Sequence, residues 1–135
     1  MKKSPIIIVM VSDNEYAQHT AVAIASILVN AAADDIIKIH IISDNMSGRN
    51  KSRIAAVAGL NKNAEICFNE IDSSLFKNAY VRGRFPVNVY WRLYLAQMFP
   101  GYRRMLYLDS DTITLASLRG LFDTDMGNNF RLKIS

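Results

Sequence analysis

The stretch "PIIIVMVSDNEYA", residues 5–17, decides the fold. Ile6 to Val11 are six apolar residues in a row, five of them β-branched. A strand with one wet face alternates apolar and polar side chains. An unbroken run marks a strand covered on both faces, as in parallel sheets. The run stops at Ser12-Asp13-Asn14, and a helical pattern begins. This first strand-to-helix junction contains no glycine, which excludes both the dinucleotide fingerprint G-x-G-x-x-G and the phosphate loop G-x-x-x-x-G-K-[ST]. Phosphate is therefore not cradled on this turn. Asp13 and Tyr16 are suited instead to read a base or sugar edge and to stack on it. The plainer alternative for Tyr16 is an aromatic at a helix start, packed on the sheet.

The same alternation continues outward. "EYAQHTAVAIASILVNAAA" (15–33) lacks Gly and Pro and repeats Ala17, Thr20, Ala21, Ile24, Ile27, Leu28 and Ala31 at helical spacing. "DIIKIHIIS" (35–43) is a second strand. "SGRNKSRIAAVAGLN" (47–61) is a second helix with Ile54, Val57 and Leu60 on one side. A third strand covers 64–72, a helix framed by prolines covers 85–100, and a fourth strand covers 103–110. The order predicts one α/β domain over residues 1–135: a mostly parallel sheet with helices on both faces. Such sheets bind ligands beyond the carboxyl ends of their strands. Ser12-Asp13-Asn14 and Asp109-Ser110-Asp111 both occupy such ends.

Composition narrows the classes. A chain of 135 residues buries roughly two-thirds of its unfolded surface on folding. Sixteen basic and 12 acidic residues give a formal charge of +4, which suits an anionic ligand or a membrane surface. The basic residues (Lys2, Lys3, Arg49, Lys51, Arg53, Arg82, Arg84, Arg103, Arg104) are scattered without aromatic interleaving, which argues against nucleic acid. The single cysteine, Cys67, excludes an internal disulfide and a cysteine cage, and its strand-like neighbours predict a buried, inert thiol. The opening "MKKSPIIIVMVSDN" imitates a signal peptide, but six apolar residues fall short of the about 7–15 a secretory core needs. No window approaches the ~18 apolar residues of a membrane span. The expectation is a cytoplasmic protein, with peripheral contact at the inner face of the membrane compatible with its charge.

"RMLYLDSDTI" (104–113) carries the chemistry. An apolar strand ends in two aspartates one residue apart. In a strand, residues i and i+2 share a face about 7 Å apart, so two carboxylates can converge on one hard cation. Mg²⁺ or Mn²⁺ is typically held by one or two carboxylates plus substrate phosphates. The bland alternative is that Asp109 and Asp111 cap the next turn. Soft-metal ligands are scarce: His19 lies on a helix, and His40 lies mid-strand as ordinary sheet packing. Arg92, within the apolar "VYWRLYLAQ", either snorkels to solvent or aims its guanidinium at a phosphate or sugar hydroxyl.

Together these pieces resemble the amino-terminal half of a glycosyltransferase family 8 enzyme, the retaining transferases that include lipopolysaccharide galactosyl- and glucosyltransferases and glycogenin. The likeness rests on "IIIVMVSDNEYAQHTAVAIASIL", "IKIHIISDNMS", "FPVNVYWRLYLAQMFP", "YRRMLYLDSDTI" and "LASLRGLFDTDMGNN", in family order to about Asn129. The resemblance implies a GT-A fold, Rossmann-like and truncated after the D-x-D strand. It implies that Val11 (through its backbone), Ser12, Asp13 and Tyr16 hold the uridine, the tyrosine by stacking, and that Arg92 contacts the donor. It implies that Asp109 and Asp111 hold Mn²⁺ (or Mg²⁺), with Ser110 lying against the ribose and metal site. No catalytic nucleophile is identified.

The implied reaction moves a hexose from UDP-glucose or UDP-galactose to a glycan or lipopolysaccharide hydroxyl with retention, a divalent ion neutralising charge on the departing UDP. Family members continue into an acceptor-binding half and a histidine-bearing segment that completes the metal site. This chain closes with "NNFRLKIS", so weak donor binding and little transfer are expected. A catalytically silent remnant that binds UDP, a partner chain or a second copy of itself is the competing expectation. A haloacid-dehalogenase-type phosphatase also places D-x-D after an apolar strand. It is disfavoured because only 24 residues follow Asp111.

Overall fold

A computed structural model describes residues 3–43, 45–70, 95 and 97–124. Strand β1 spans Ile6–Ser12, helix α1 Ala17–Val29, β2 Ile37–Ser43 and α2 Gly48–Ala56. A 3-10 turn follows at Val57–Leu60, then β3 at Ala64–Glu70, β4 at Leu106–Tyr107 and a short helix α3 at Arg119–Phe122. The sheet order is β3-β2-β1-β4, and every pairing is parallel. The apolar run read at 6–11 is the central strand, and Ile6, Ile8, Val9 and Met10 are at most 1% exposed.

Side-chain alternation assigns the two faces. Ser12 meets Thr20 of α1 through an Oγ1–Oγ hydrogen bond of 2.7 Å, so the row Ile6, Ile8, Met10, Ser12 faces that helix. In register beside it run Ile37, Ile39, Ile41 and Ser43. The alternate row, with Lys38, His40 and Ile42, faces away from α1 and is covered by Phe99 and Tyr102. Phe99 N–H donates to Leu95 C=O at 2.9 Å, a helical bond on this second face. Helical structure on both faces follows, as expected. The helix expected over 85–100 otherwise lies outside the described residues, and Arg92 with it.

Several expected boundaries move, each for a local reason. Helix α1 starts at Ala17, not Glu15, because Asp13 Oδ1 accepts the Tyr16 N–H at 2.9 Å and holds residues 13–16 in a turn. It ends at Val29, not Ala33, where Asn30 Nδ2 donates to Ser26 C=O at 2.8 Å and to Thr114 C=O at 2.9 Å. Ser47 caps α2 by accepting the Asn50 N–H at 3.2 Å. The second helix tightens after Ala56, which turns Leu60 outward to 55% exposure instead of into the core. Cys67 is half-buried on the edge strand β3, not fully buried, and burial together with Glu65 pushes its thiol up, away from the reactive thiolate. The fourth strand is two residues long rather than eight.

His40 takes the structural role expected of it, and with a pH signature. Asn69 Oδ1 only accepts, so Nδ1 carries the proton toward it at 3.3 Å, leaving Nε2 to accept from the Tyr102 hydroxyl at 2.9 Å. Burial lowers the imidazole below its ordinary value of 6.5, outweighing the Asn69 bond that raises it. Above pH 6.5 the ring is neutral in both folded and unfolded chains. Below it the unfolded chain takes the proton first, so stability falls as pH falls, until the lowered folded value is reached. Melting temperatures measured from pH 7 down to about 5 should drop in the native chain. The drop should be smaller in His40→Gln, and an equal drop in both would contradict the assignment.

Candidate functional site

The chain builds β1, β2 and β3 in one direction and then returns to place β4 on the other side of β1. Strand order thus reverses between β1 and β4, and such a switch point is where parallel α/β sheets bind ligands, beyond the carboxyl ends of the strands. Ser12-Asp13 and Asp109-Ser110-Asp111 are delivered to that end by neighbouring strands. Ile8 stands beside Leu106 and Val9 beside Tyr107, and Leu108 N–H donates to Val9 C=O at 3.1 Å. In this ladder the next acceptor is Val11 C=O. It takes the Ser110 hydroxyl. The side chain thus supplies a bond to β1 where the backbone leaves the sheet.

This shortness of β4 changes how the aspartates meet. The i, i+2 geometry of a strand does not apply, because β4 has ended at Tyr107 and the pair lies in a turn. Thr112 Oγ1 closes that turn on the Asp109 carbonyl at 2.8 Å. The carboxylates nonetheless feel each other. Partial burial, and then the charge of Asp111, lift the Asp109 carboxyl above its ordinary value. Both side chains are exposed, and neither carboxylate accepts a hydrogen bond or forms an ion pair among the described residues. Beside them burial, and then the charge of Asp109, push the Tyr107 phenol up to about 12, so it stays protonated.

The β1 side is equally open. Tyr16 is 48% exposed, so its ring does not pack on the sheet, and among the described residues it lies 5.9 Å from His19 between ring centroids. Asp13 is half-buried and spends one oxygen on the Tyr16 N–H. Ser12 is buried, and its hydroxyl accepts from Thr20 and donates to the Asp13 carbonyl at 3.2 Å. Ser110 is likewise buried, its hydrogen directed at Val11.

Two contributors were not singled out from the sequence. Asn14 Oδ1 accepts from Ser47 N–H and from Asn50 Nδ2, each at 2.9 Å, and so ties the β1–α1 turn to the start of α2. Thr112 closes the aspartate turn. A threonine following D-x-D was the available signal, since hydroxyls commonly bond backbone two or three residues away.

The donor set fits a hard divalent cation: two exposed carboxylates with no competing partner among the described residues. Among the described residues no group of three or more potential ligands occurs.

Fold and site define an open parallel α/β unit with a switch point between β1 and β4 and an exposed acidic pair just past β4. The model of "Glycosyl transferase family 8" matches residues 7–133, and the chain belongs to that family. It is 26% identical over 129 residues to general stress protein A of Bacillus subtilis strain 168, covering 93% of this chain and 45% of that protein. Among solved structures, the bifunctional glycosyltransferase WbbM aligns with a TM-score of 0.76 at 29% identity, over 94% of this chain and 22% of that one. The galactosyltransferase LgtC, in a structure with donor and acceptor sugar analogues, aligns with a TM-score of 0.71 at 28% identity, over 92% and 44%. The chain thus spans less than half the length of each of these relatives. The fold is of the GT-A kind that these glycosyltransferases share.

Proposed function

We propose that this chain is the donor-binding part of a metal-dependent glycosyltransferase that moves a hexose from UDP-glucose or UDP-galactose to a glycan or lipopolysaccharide hydroxyl. The observation that carries it is the pair of exposed carboxylates, without a partner among the described residues, on the turn after β4, the strand that neighbours β1. Asp109 and Asp111 hold Mn²⁺ or Mg²⁺, and Asp13, the backbone of Val11 and the ring of Tyr16 hold the uridine. Ser12 and Ser110 support them from beneath, and Arg92 is assigned to the donor by family likeness. When bound, the ion supplies charge neutralisation on the leaving diphosphate. Retention of configuration rests on family membership, and peripheral contact at the inner membrane face on the chain's +4 charge. No helix among the described residues is long and apolar enough to cross a membrane.

Stacking gives a separate handle on the nucleotide. Base-on-aromatic contact is worth about 1–3 kcal/mol by alanine substitution. Tyr16→Ala should therefore weaken UDP binding by roughly tenfold or more, with Tyr16→Phe near the native affinity, read by calorimetry. Equal affinity in all three proteins would remove Tyr16 from the site.

A second reading, binding of UDP without transfer, is favoured by one observation: the described residues offer two carboxylates and no third ligand group. Mn²⁺-dependent hydrolysis of UDP-glucose or UDP-galactose by the 135-residue chain divides the two. Turnover that Asp109→Asn abolishes supports the transferase. Tight binding with no turnover supports the silent module.

A further inference from the structure

We infer that Ser110 and Thr112 are positioning residues that hold the Asp109–Asp111 turn in its ion-gripping form before any ion arrives, an inference resting on the metal-clamp reading above. Two exposed carboxylates on one short turn repel each other when both are ionised. An unrestrained turn would relieve that repulsion by spreading. Strand pairing cannot prevent this, because β4 stops at Tyr107.

Two hydroxyls supply the restraint. Thr112 Oγ1 donates to the Asp109 carbonyl at 2.8 Å and closes the turn on itself. The buried Ser110 hydroxyl donates to the Val11 carbonyl and ties the turn to β1, the strand that also delivers Asp13. Both hydroxyls bond backbone, so neither occupies a carboxylate oxygen. The turn is thereby fixed while its charged atoms stay open, which is what a preorganised ligand set requires. Ser110 is thus a strut between the two strands.

The test uses the 135-residue chain with UDP as probe, titrated calorimetrically in saturating Mn²⁺ and again in chelator. Thr112→Val, which keeps shape and loses the hydroxyl, and Ser110→Ala should each weaken binding in Mn²⁺ by about tenfold, the lower end of the loss typical when a metal's supporting shell is removed. Binding in chelator should be unchanged in Thr112→Val, and Thr112→Ser should recover the native affinity. A merely structural role would instead lower both affinities together, and that result overturns the inference. It is also overturned if both variants bind within twofold of the native chain in Mn²⁺ while Asp111→Asn has lost metal enhancement, an outcome that leaves the clamp itself standing. If the native chain shows no metal enhancement, the clamp reading fails first and takes this inference with it.

Discussion

Asparagine in place of Asp111 is expected to abolish the Mn²⁺ enhancement of UDP affinity while leaving the melting temperature unchanged or slightly raised. The carboxylate is exposed and bonds no described residue, so no described contact of the fold depends on its charge. Removing that charge takes away the second cause, after partial burial, that lifts Asp109, so no loss of stability is expected. The loss falls on the ion. Outer-shell changes around metals commonly cost 10–100-fold, so losing one of two protein ligands should cost at least about 100-fold. Asp109→Asn should act in the same direction. A variant that melts normally and keeps its metal-enhanced affinity would show that the turn merely follows a strand.

The largest effect on stability is expected at the opposite end of the sheet. Asp35 is 0% exposed and accepts from Arg119 Nε at 2.9 Å, with Ser117 Oγ at 3.5 Å and Lys3 Nζ at 3.9 Å. Arg119 also donates through Nη2 to Ser4 C=O at 2.8 Å, pairs with Asp123 at 3.2 Å and lies over the Phe122 ring at 5.9 Å. One guanidinium thus fastens α3 beneath β1 and β2. Arg119→Met leaves a buried carboxylate short of partners, a change that costs about 3–5 kcal/mol. That is a large share of the 5–15 kcal/mol typical of a domain. Replacing both, Asp35→Leu with Arg119→Leu, should restore much of the loss, because an apolar pair strands no charge. Urea denaturation reads both. A single-variant loss below about 1 kcal/mol would mean that solvent reaches the pair.

The parts of the fold written in local pattern were legible. The unbroken run at 6–11 could only be a covered strand, and the strand–helix spacing required parallel neighbours. What was not legible depended on contacts between distant residues. That β4 would shrink to Leu106–Tyr107 follows from Ser110 reaching Val11, a bond across 99 positions that no window of sequence contains. The end of α1 at Val29 is set partly by Thr114, and the burial of Asp35 by Arg119, each more than 80 positions away. At the site, the residue types and the strand ends were readable from "VSDNEY" and "LDSDT". The exposure of Tyr16, which overturns the sheet-packing alternative, needed three dimensions. So did the Ser110 strut, because a serine between aspartates shows neither its direction nor its acceptor.

Electron paramagnetic resonance of free Mn²⁺, titrated with the chain in the presence of UDP, tests the paired carboxylates most directly. One ion taken up per chain, and none in the double variant Asp109→Asn/Asp111→Asn, is the predicted result. Equal uptake by the two proteins, or none by the native chain, would contradict it.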